Sequence, residues 1–338
     1  MNDQPVRAEF APQLCTFFNR FVREHSLIFD EIAEAEAAAL FLPGVSVEKP
    51  GHENAVKVCI AAEENGSLCG FAAGNTEPGK DAAYITAVLA EDDLLWRRLS
   101  ERLERELTLF NPNVQRLRYV FYNPALLRWR IPGTDFLHPG APGVDCRSDE
   151  HRRMTEAGYR DFAVMNAYYR ELRDYAVPDA LARKMRENEE RGLVITEYDP
   201  EKHGSFLPLI ESLGSEDWRG AILRNQALEN PLPMMIAADM SSEARAKNGG
   251  PGFVCGFAGP MYRMDCGRGY FAGIGVHADY RRLGLGSTLF AGLCRGLREI
   301  GADYMTLFTG ADGTARKIYE KAGFTVGRTF AGMEKLLK

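Results

Sequence analysis

The chain lacks the usual marks of metal and disulfide chemistry. Its seven cysteines, Cys15, Cys59, Cys69, Cys146, Cys255, Cys266 and Cys294, include no C-x-x-C pair. An odd, scattered set fits reduced thiols in a cytoplasm better than a disulfide framework. The six histidines form no H-E-x-x-H, so no metal site is expected. The first residues, MNDQPVRAEF, have neither the basic nor the apolar region of a secretory signal. No segment approaches the roughly 20 apolar residues of a membrane helix. No block of like charge occurs either, and the formal net charge is -6. That balance argues against nucleic acid and anionic membranes as partners and leaves cationic small molecules open.

What is present is an ordinary globular balance, 45% apolar and 26% charged over 338 residues, enough for about two domains. Two short strings recur in the same order. CGFA stands at Cys69–Ala72 and again at Cys255–Ala258, and EAGY at Glu156–Tyr159 is echoed by KAGF at Lys321–Phe324. These echoes predict two copies of one unit. The expected division is 1–174, a charged linker 175–191, and 192–338.

In the second copy, GLVITEY, PMMIAAD, FVCGFAGPMYR, GYFAGIGV and DYMTLFT read as strands. Glu201–Leu213 and Trp218–Glu229 read as helices, and Ser241–Gly252 as a polar loop. Leu285, Leu289, Leu293, Leu297 and Ile300 mark an amphipathic helix over Gly284–Ile300. TARKIYEKAG is a short helix stopped by Gly323. The first copy follows a similar path: strands at VKVCIAA, SLCGFAAG, AAYITAVLA and QRLRYVFY, and a helix over Leu94–Phe110. It adds a Pro/Gly-rich insertion, Trp129–Asp145.

The most informative stretch is YRRLGLGSTLF, Tyr280–Phe290. Two glycines at a helix start cost about 1 kcal/mol each against alanine. They also let the backbone approach a ligand closely and take positive φ. The first N–H groups of a helix lack intrahelical partners, and the macrodipole places positive charge there. With Arg281 and Arg282 beside it, the loop suits a phosphate or pyrophosphate. A Rossmann fingerprint would need glycine at 289, where leucine stands. GNTEPGKD (Gly74–Asp81) has a Walker A skeleton, but Asp81 replaces the magnesium-binding Ser or Thr and a strand follows, so it reads as a β-turn.

VHADYRRLGLGSTL resembles motif A of the Gcn5-related N-acetyltransferases (the GNAT superfamily), Arg/Gln-x-x-Gly-x-Gly/Ala, through Arg281, Gly284 and Gly286. DGTARKIYEKAGF resembles motif B through Asp312, Ala315, Tyr319, Gly323 and Phe324. The resemblance covers about Gly192 to Lys338. It implies an α/β (α+β) fold of two tandem GNAT domains, each a mixed, mostly antiparallel central sheet flanked by helices. It further implies acetyl-CoA as co-substrate. The pantetheine arm would lie along Ile274, Gly275 and Val276. The pyrophosphate would lie on Arg281, Arg282, Leu283, Gly284, Leu285, Gly286 and Ser287, and Asp312, Ala315 and Tyr319 would line the cofactor site. Family logic makes Tyr319 the general acid for the departing thiolate, against the ordinary alternative of a core tyrosine.

Two departures stand out. Asp312 replaces the usual asparagine, and the strand position where some relatives carry a glutamate base is Tyr270. The base is therefore open among Glu216, Asp217, His277, Asp265 and the Lys338 carboxylate. Trp218 is a candidate for stacking on substrate, and Trp129 and His138 for reaching across from the first copy. That copy has Glu91, Asp92 and Asp93 at its helix start and Met154 where the second has Tyr319. It is expected not to bind acetyl-CoA. The expected function is acetyl transfer to the primary amine of a small molecule by a cytoplasmic monomer or homodimer. The alternatives are a non-catalytic acyl-CoA-binding regulator and, disfavoured by the acidic charge, a tRNA-dependent aminoacyl transferase.

Overall fold

Alternating apolar runs bounded by turns build strands in both halves, and leucine stripes at helical spacing cover them. The computed structural model describes residues 2–5, 8–44, 52, 54–120 and 123–337. Its contacts divide the chain into two units, Met1–Ala167 with Gly327–Lys338, and Tyr168–Val326.

The first unit contains β1 (Asn2–Pro5), α1 (Ala11–Glu24), α2 (Glu34–Phe41), β2 (Val56–Glu64), β3 (Ser67–Thr76) and β4 (Ala82–Ala90). It continues with α3 (Asp93–Phe110), β5 (Arg116–Tyr119), β6 (Trp129–Arg130), β7 (Leu137–His138), β8 (Val144–Asp145) and α4 (Asp149–Glu156). Strand β9 (Arg160–Glu171) leads out of this unit. Strands β1 to β4 pair antiparallel in order. β5 joins β4 in parallel, but only through Ala82↔Arg116, Ala83↔Leu117 and Tyr84↔Arg118. Leu95, Leu99, Leu103 and Leu107 of α3 seal one face of the sheet. Phe17, Phe18 and Phe21 of α1, with Phe41 and Phe71, seal the other.

The second unit contains α5 (Asp179–Glu189), β10 (Leu193–Glu197), α6 (Leu207–Leu213), α7 (Glu216–Gln226), β11 (Met235–Asp239) and α8 (Ser242–Lys247). It continues with β12 (Phe253–Arg263), β13 (Arg268–Val276), α9 (Leu285–Glu299), β14 (Tyr304–Gly310) and α10 (Arg316–Lys321). β10 to β13 form an antiparallel meander, and β14 lies parallel to β13. Leu289, Leu293 and Leu297 of α9 pack on this sheet with Phe290, Tyr319 and Phe324.

Four expectations need correction. The final strand, β15 (Thr325–Leu336), is not spent on the second copy. Met333↔Tyr119 through Leu336↔Arg116 pair it antiparallel with β5, and Gly327–Lys338 belong to the first unit. The connection 175–191, expected to be partly helical, does hold a helix, α5, but its contacts group it with the second unit. The helix expected from Glu201 starts only at Leu207, with Pro208 in its first turn where the missing N–H costs nothing. The polar loop after β11 contains α8, capped by the Ser241 hydroxyl accepting from Ala244 N–H at 3.3 Å.

Trp129 and His138 also do not reach outward. They pair across β6 and β7, are 0% and 5% exposed, and Trp129 packs edge-on to Phe330. GNTEPGKD is a turn, closed by Lys80 N–H donating to Glu77 at 3.1 Å, with Gly79 at φ +82°. Among the described residues, no helix is long and apolar enough to cross a membrane.

Candidate active site

β13 and β14 part company early. Their parallel ladder covers only Arg268↔Tyr304 and Gly269↔Met305. On its other edge β13 stays paired to β12 as far as Val276↔Gly256. From Tyr270 to Val276, β13 therefore offers one row of backbone N–H and C=O groups to a gap rather than to a strand. Ile274, Gly275 and Val276 lie at the end of that row. Side chains frame it: a Cβ at Gly273 would collide with the Trp218 indole, and one at Gly275 would come within 2.7 Å of Leu213. Trp218 is half-buried and packs edge-on to Phe257, 5.7 Å away. It closes one wall of the gap while resting on the core.

After β13 a short turn is pinned in place. Ala278 N–H donates to the Ser212 hydroxyl at 3.2 Å, and the Tyr280 hydroxyl donates to Asp239 at 2.9 Å. Burial and the Asp239 carboxylate both push the Tyr280 phenol up, so it remains a donor. The loop that follows alternates in hand. Arg282 has φ +67° and Gly284 φ +81°, the pattern that turns successive N–H groups to one side as an anion nest. α9 then begins with no side-chain cap. Ser287 and Thr288 donate to the Gly284 carbonyl at 3.2 Å, leaving the N–H groups of Leu285 and Gly286 at the open end of the helix. Arg281 and Arg282 are exposed beside it, and Arg281 Nε donates to the Val276 carbonyl at 3.4 Å. A Cβ at Gly286 would touch Ile318 of α10 at 3.4 Å, so the second glycine keeps the two helices close.

The loop has a support that sequence reading missed. Lys184 and Asn188 stand one turn apart on the same face of α5. Lys184 lies against Gly284, its Cε 3.1 Å from where a Cβ would be. Asn188 is fully buried, and its Nδ2 donates to the Leu283 carbonyl at 3.4 Å. Its Oδ1 is buried with no hydrogen-bond partner. The signal available in the sequence was an asparagine on the buried side of an otherwise charged helix.

Motif B sits on α10. Tyr319 is buried against Phe290, 4.9 Å away, and Tyr168, 5.8 Å away. Burial, then Tyr168, pushes its phenol up, so it keeps its proton across neutral pH. Ala315 precedes the helix half-buried and Asp312 is exposed.

The candidate bases separate by position. Glu216 and Asp217 are exposed in the first turn of α7, where they complement the helix dipole. His277 is half-buried at the end of β13, packed edge-on to Phe253. Asp265 lies exposed in the β12–β13 hairpin. That is the opposite end of β13 from the loop, about 25 Å away at roughly 3.3 Å per residue. Lys338 lies outside the described residues. Tyr270, at the position where an acid was looked for, packs on Tyr262 at 4.9 Å.

Comparison with known proteins agrees with this geometry. Residues 244–326 match the family model described as an acetyltransferase (GNAT) domain. No curated protein matches the chain in sequence. Among solved structures, a GCN5-related N-acetyltransferase from Sphaerobacter thermophilus superposes with TM-score 0.58 at 14% identity, covering 99% of this chain and 95% of its own. A tandem GNAT protein from the clavulanic acid biosynthesis pathway gives 0.51 at 12% identity, covering 99% and 98%. The glucosamine N-acetyltransferase region of a fungal multi-domain β-N-acetylglucosaminidase gives 0.63 at 12% identity over 98% of this chain. The chain spans only 38% of the length of that fungal protein. At such identities the superpositions speak for the fold, and they extend over both units. The chain thus has the tandem GNAT fold, and residues 244–326 in its second half match the acetyltransferase (GNAT) domain model.

Proposed function

We propose that the second unit transfers an acetyl group from acetyl-CoA to the primary amine of a small molecule by direct attack, with Tyr319 as general acid. One observation carries this reading: the open edge of β13 runs directly into a glycine-built helix start with unpaired N–H groups. The edge suits the amide-rich pantetheine arm, and the loop suits the pyrophosphate. Ile274, Gly275 and Val276 would hold the arm and polarise the thioester through a backbone N–H. Arg281, Arg282, Leu283, Gly284, Leu285, Gly286 and Ser287 would hold the pyrophosphate. The amine nitrogen bonds to the carbonyl carbon, the carbon–sulfur bond breaks, and the Tyr319 hydroxyl gives its proton to the thiolate. The proton lost by the amine returns to solvent or to Glu216 or Asp217, the acids on the helix that carries Trp218. Positioning two reactants in this way supplies several kcal/mol of the barrier.

Calorimetric titration with acetyl-CoA, on the wild type and on a Gly284→Asp/Gly286→Asp variant, tests the cofactor assignment. One site, lost in the variant, is expected. Two sites would show that the first unit also binds the cofactor, and no binding would overturn the proposal. A second reading has one observation behind it: β13 carries no acid, and Glu216 and Asp217 are exposed. A regulator that binds acyl-CoA without turning it over would show the same titration but release no thiol with any amine.

A further inference from the structure

The first unit encloses a cavity of about 250 Å³ that shares no residue with the loop before α9. It is small beside ordinary ligand pockets of roughly 300–1,000 Å³. Its walls are mostly apolar, with Phe21, Leu27, Phe29, Val88 and Val144 among them. One wall group is out of keeping. The Glu150 carboxyl, from the first turn of α4, accepts from Trp96 Nε1 at 2.9 Å through Oε2. Its Oε1 is buried and has no hydrogen-bond partner among the described residues.

The other buried and half-buried charges around the cavity are paired. Arg153 holds Asp93 at 2.7 Å, Arg328 holds Asp145 at 3.5 Å, and Arg152 holds Asp149 at 3.6 Å. His25 stacks on Phe21, 4.0 Å between ring centres. Tyr119 is pushed up by burial and stays neutral, and Arg147 is exposed at the rim. Glu150 is the wall carboxylate with no ion pair among the described residues. A buried acceptor left without a donor costs about 1–3 kcal/mol, more when charged, and such an arrangement persists at sites with a use.

We infer that this cavity binds a small primary ammonium compound with an apolar body, its N–H groups donating to Glu150. An anion is disfavoured because Arg153 and Arg328 already serve Asp93 and Asp145, Arg147 is exposed at the rim, and Glu150, when ionised, would repel it. The ammonium supplies the missing donor, and the apolar walls take its carbon chain. Burial holds the Glu150 acid up to about 8, opposed by Trp96 and Arg153. At pH 7 the free site is thus mainly the neutral acid. Binding the cation requires the acid to give its proton to solvent, so one proton leaves for each cation that enters.

The test is calorimetric titration of the full chain at pH 7 with n-pentylammonium and with n-pentanol, in two buffers of different ionisation enthalpy. No acetyl-CoA is present, so the outcome does not depend on the transferase reading. Saturable binding of the ammonium with release of about one proton, at least tenfold weaker in Glu150→Gln, is expected. A second variant, Ile28→Trp, fills the cavity from a half-exposed wall position and should abolish binding. Thermal unfolding checks that both variants fold. Absence of saturable binding, pentanol binding as tightly, binding without proton release, or binding undiminished in either folded variant would each overturn the inference.

Discussion

The same place in the two copies is solved in opposite ways. In the first unit, the helix after the splayed strand opens on acids. Asp92 caps α3, Asp93 pairs with Arg153 at 2.7 Å, and Glu91 pairs with Arg20 at 2.6 Å. In the second unit, the matching helix opens on Gly284 and Gly286 with no side-chain cap and two exposed arginines. Both helix starts present free N–H groups and the positive end of a dipole. The first copy satisfies that demand from its own side chains and is complete without a ligand. The second leaves it open, and the proposed cofactor would meet it. The position of the proposed acid parts in the same way, with buried Met154 in α4 and buried Tyr319 in α10. The two helix starts differ here by where the negative charge comes from.

The largest test of that contrast is Tyr319→Phe. It should lower kcat by roughly 10²–10⁴-fold while leaving the acetyl-CoA Kd unchanged, measured by thiol release and calorimetry on the same preparation. Equal kcat would make Tyr319 a core residue, as Met154 is.

The half-buried acid of the first copy, Glu150, predicts a pH effect on stability. Glu150 is raised from 4.5 to about 8 in the folded chain. The folded state then binds more protons than the unfolded state between those values, so stability is full below about 4.5 and falls as pH rises toward 8. Denaturant melts across that window should show the decline in the wild type and a flatter profile in Glu150→Gln. Identical profiles would mean that the carboxyl is solvated.

Smaller effects refine the comparison. Lys184→Ala, which removes the aliphatic stem against Gly284 and the ammonium paired with Glu187 at 3.0 Å, should weaken acetyl-CoA binding about threefold, with part of the loss shrinking at high salt. An unchanged Kd would limit Lys184 to packing. Asp92→Ala should cost about 1 kcal/mol of stability through the lost cap and confer no acetyl-CoA binding, because Glu91 and Asp93 remain. Acetyl-CoA binding in that variant would mean that a single cap separates the copies.

The glycines of the second copy were legible in the sequence because their cost has no local compensation. The splay was not legible, since it is set by how far two ladders extend and not by residue type. FTVGRTFAGMEKLL alternates well enough to serve either sheet, and its pairing with Arg116–Tyr119 spans over 200 positions that no local pattern records. Lys184 and Asn188 were hidden in a helix that reads as a charged connector. Glu150 lies in SDEHRR, a charged stretch in which no local pattern marks one acid from another until Trp96 and the cavity walls surround it. The legible elements are those whose causes lie within one turn or strand. The illegible ones depend on partners far along the chain.

The home of β15 has a consequence for how the protein is made. On a ribosome the first unit emerges early, but its sheet stays one strand short beside β5 until Gly327–Leu336 arrive. At about 5–20 residues per second, some 200 residues of further synthesis keep that β5 edge bare for roughly 10–40 s. During this interval the nascent chain displays an unfilled strand slot, the kind of edge that invites pairing with a neighbour on the same message. The order of synthesis thus runs against the order of completion: the copy translated first is the copy finished last.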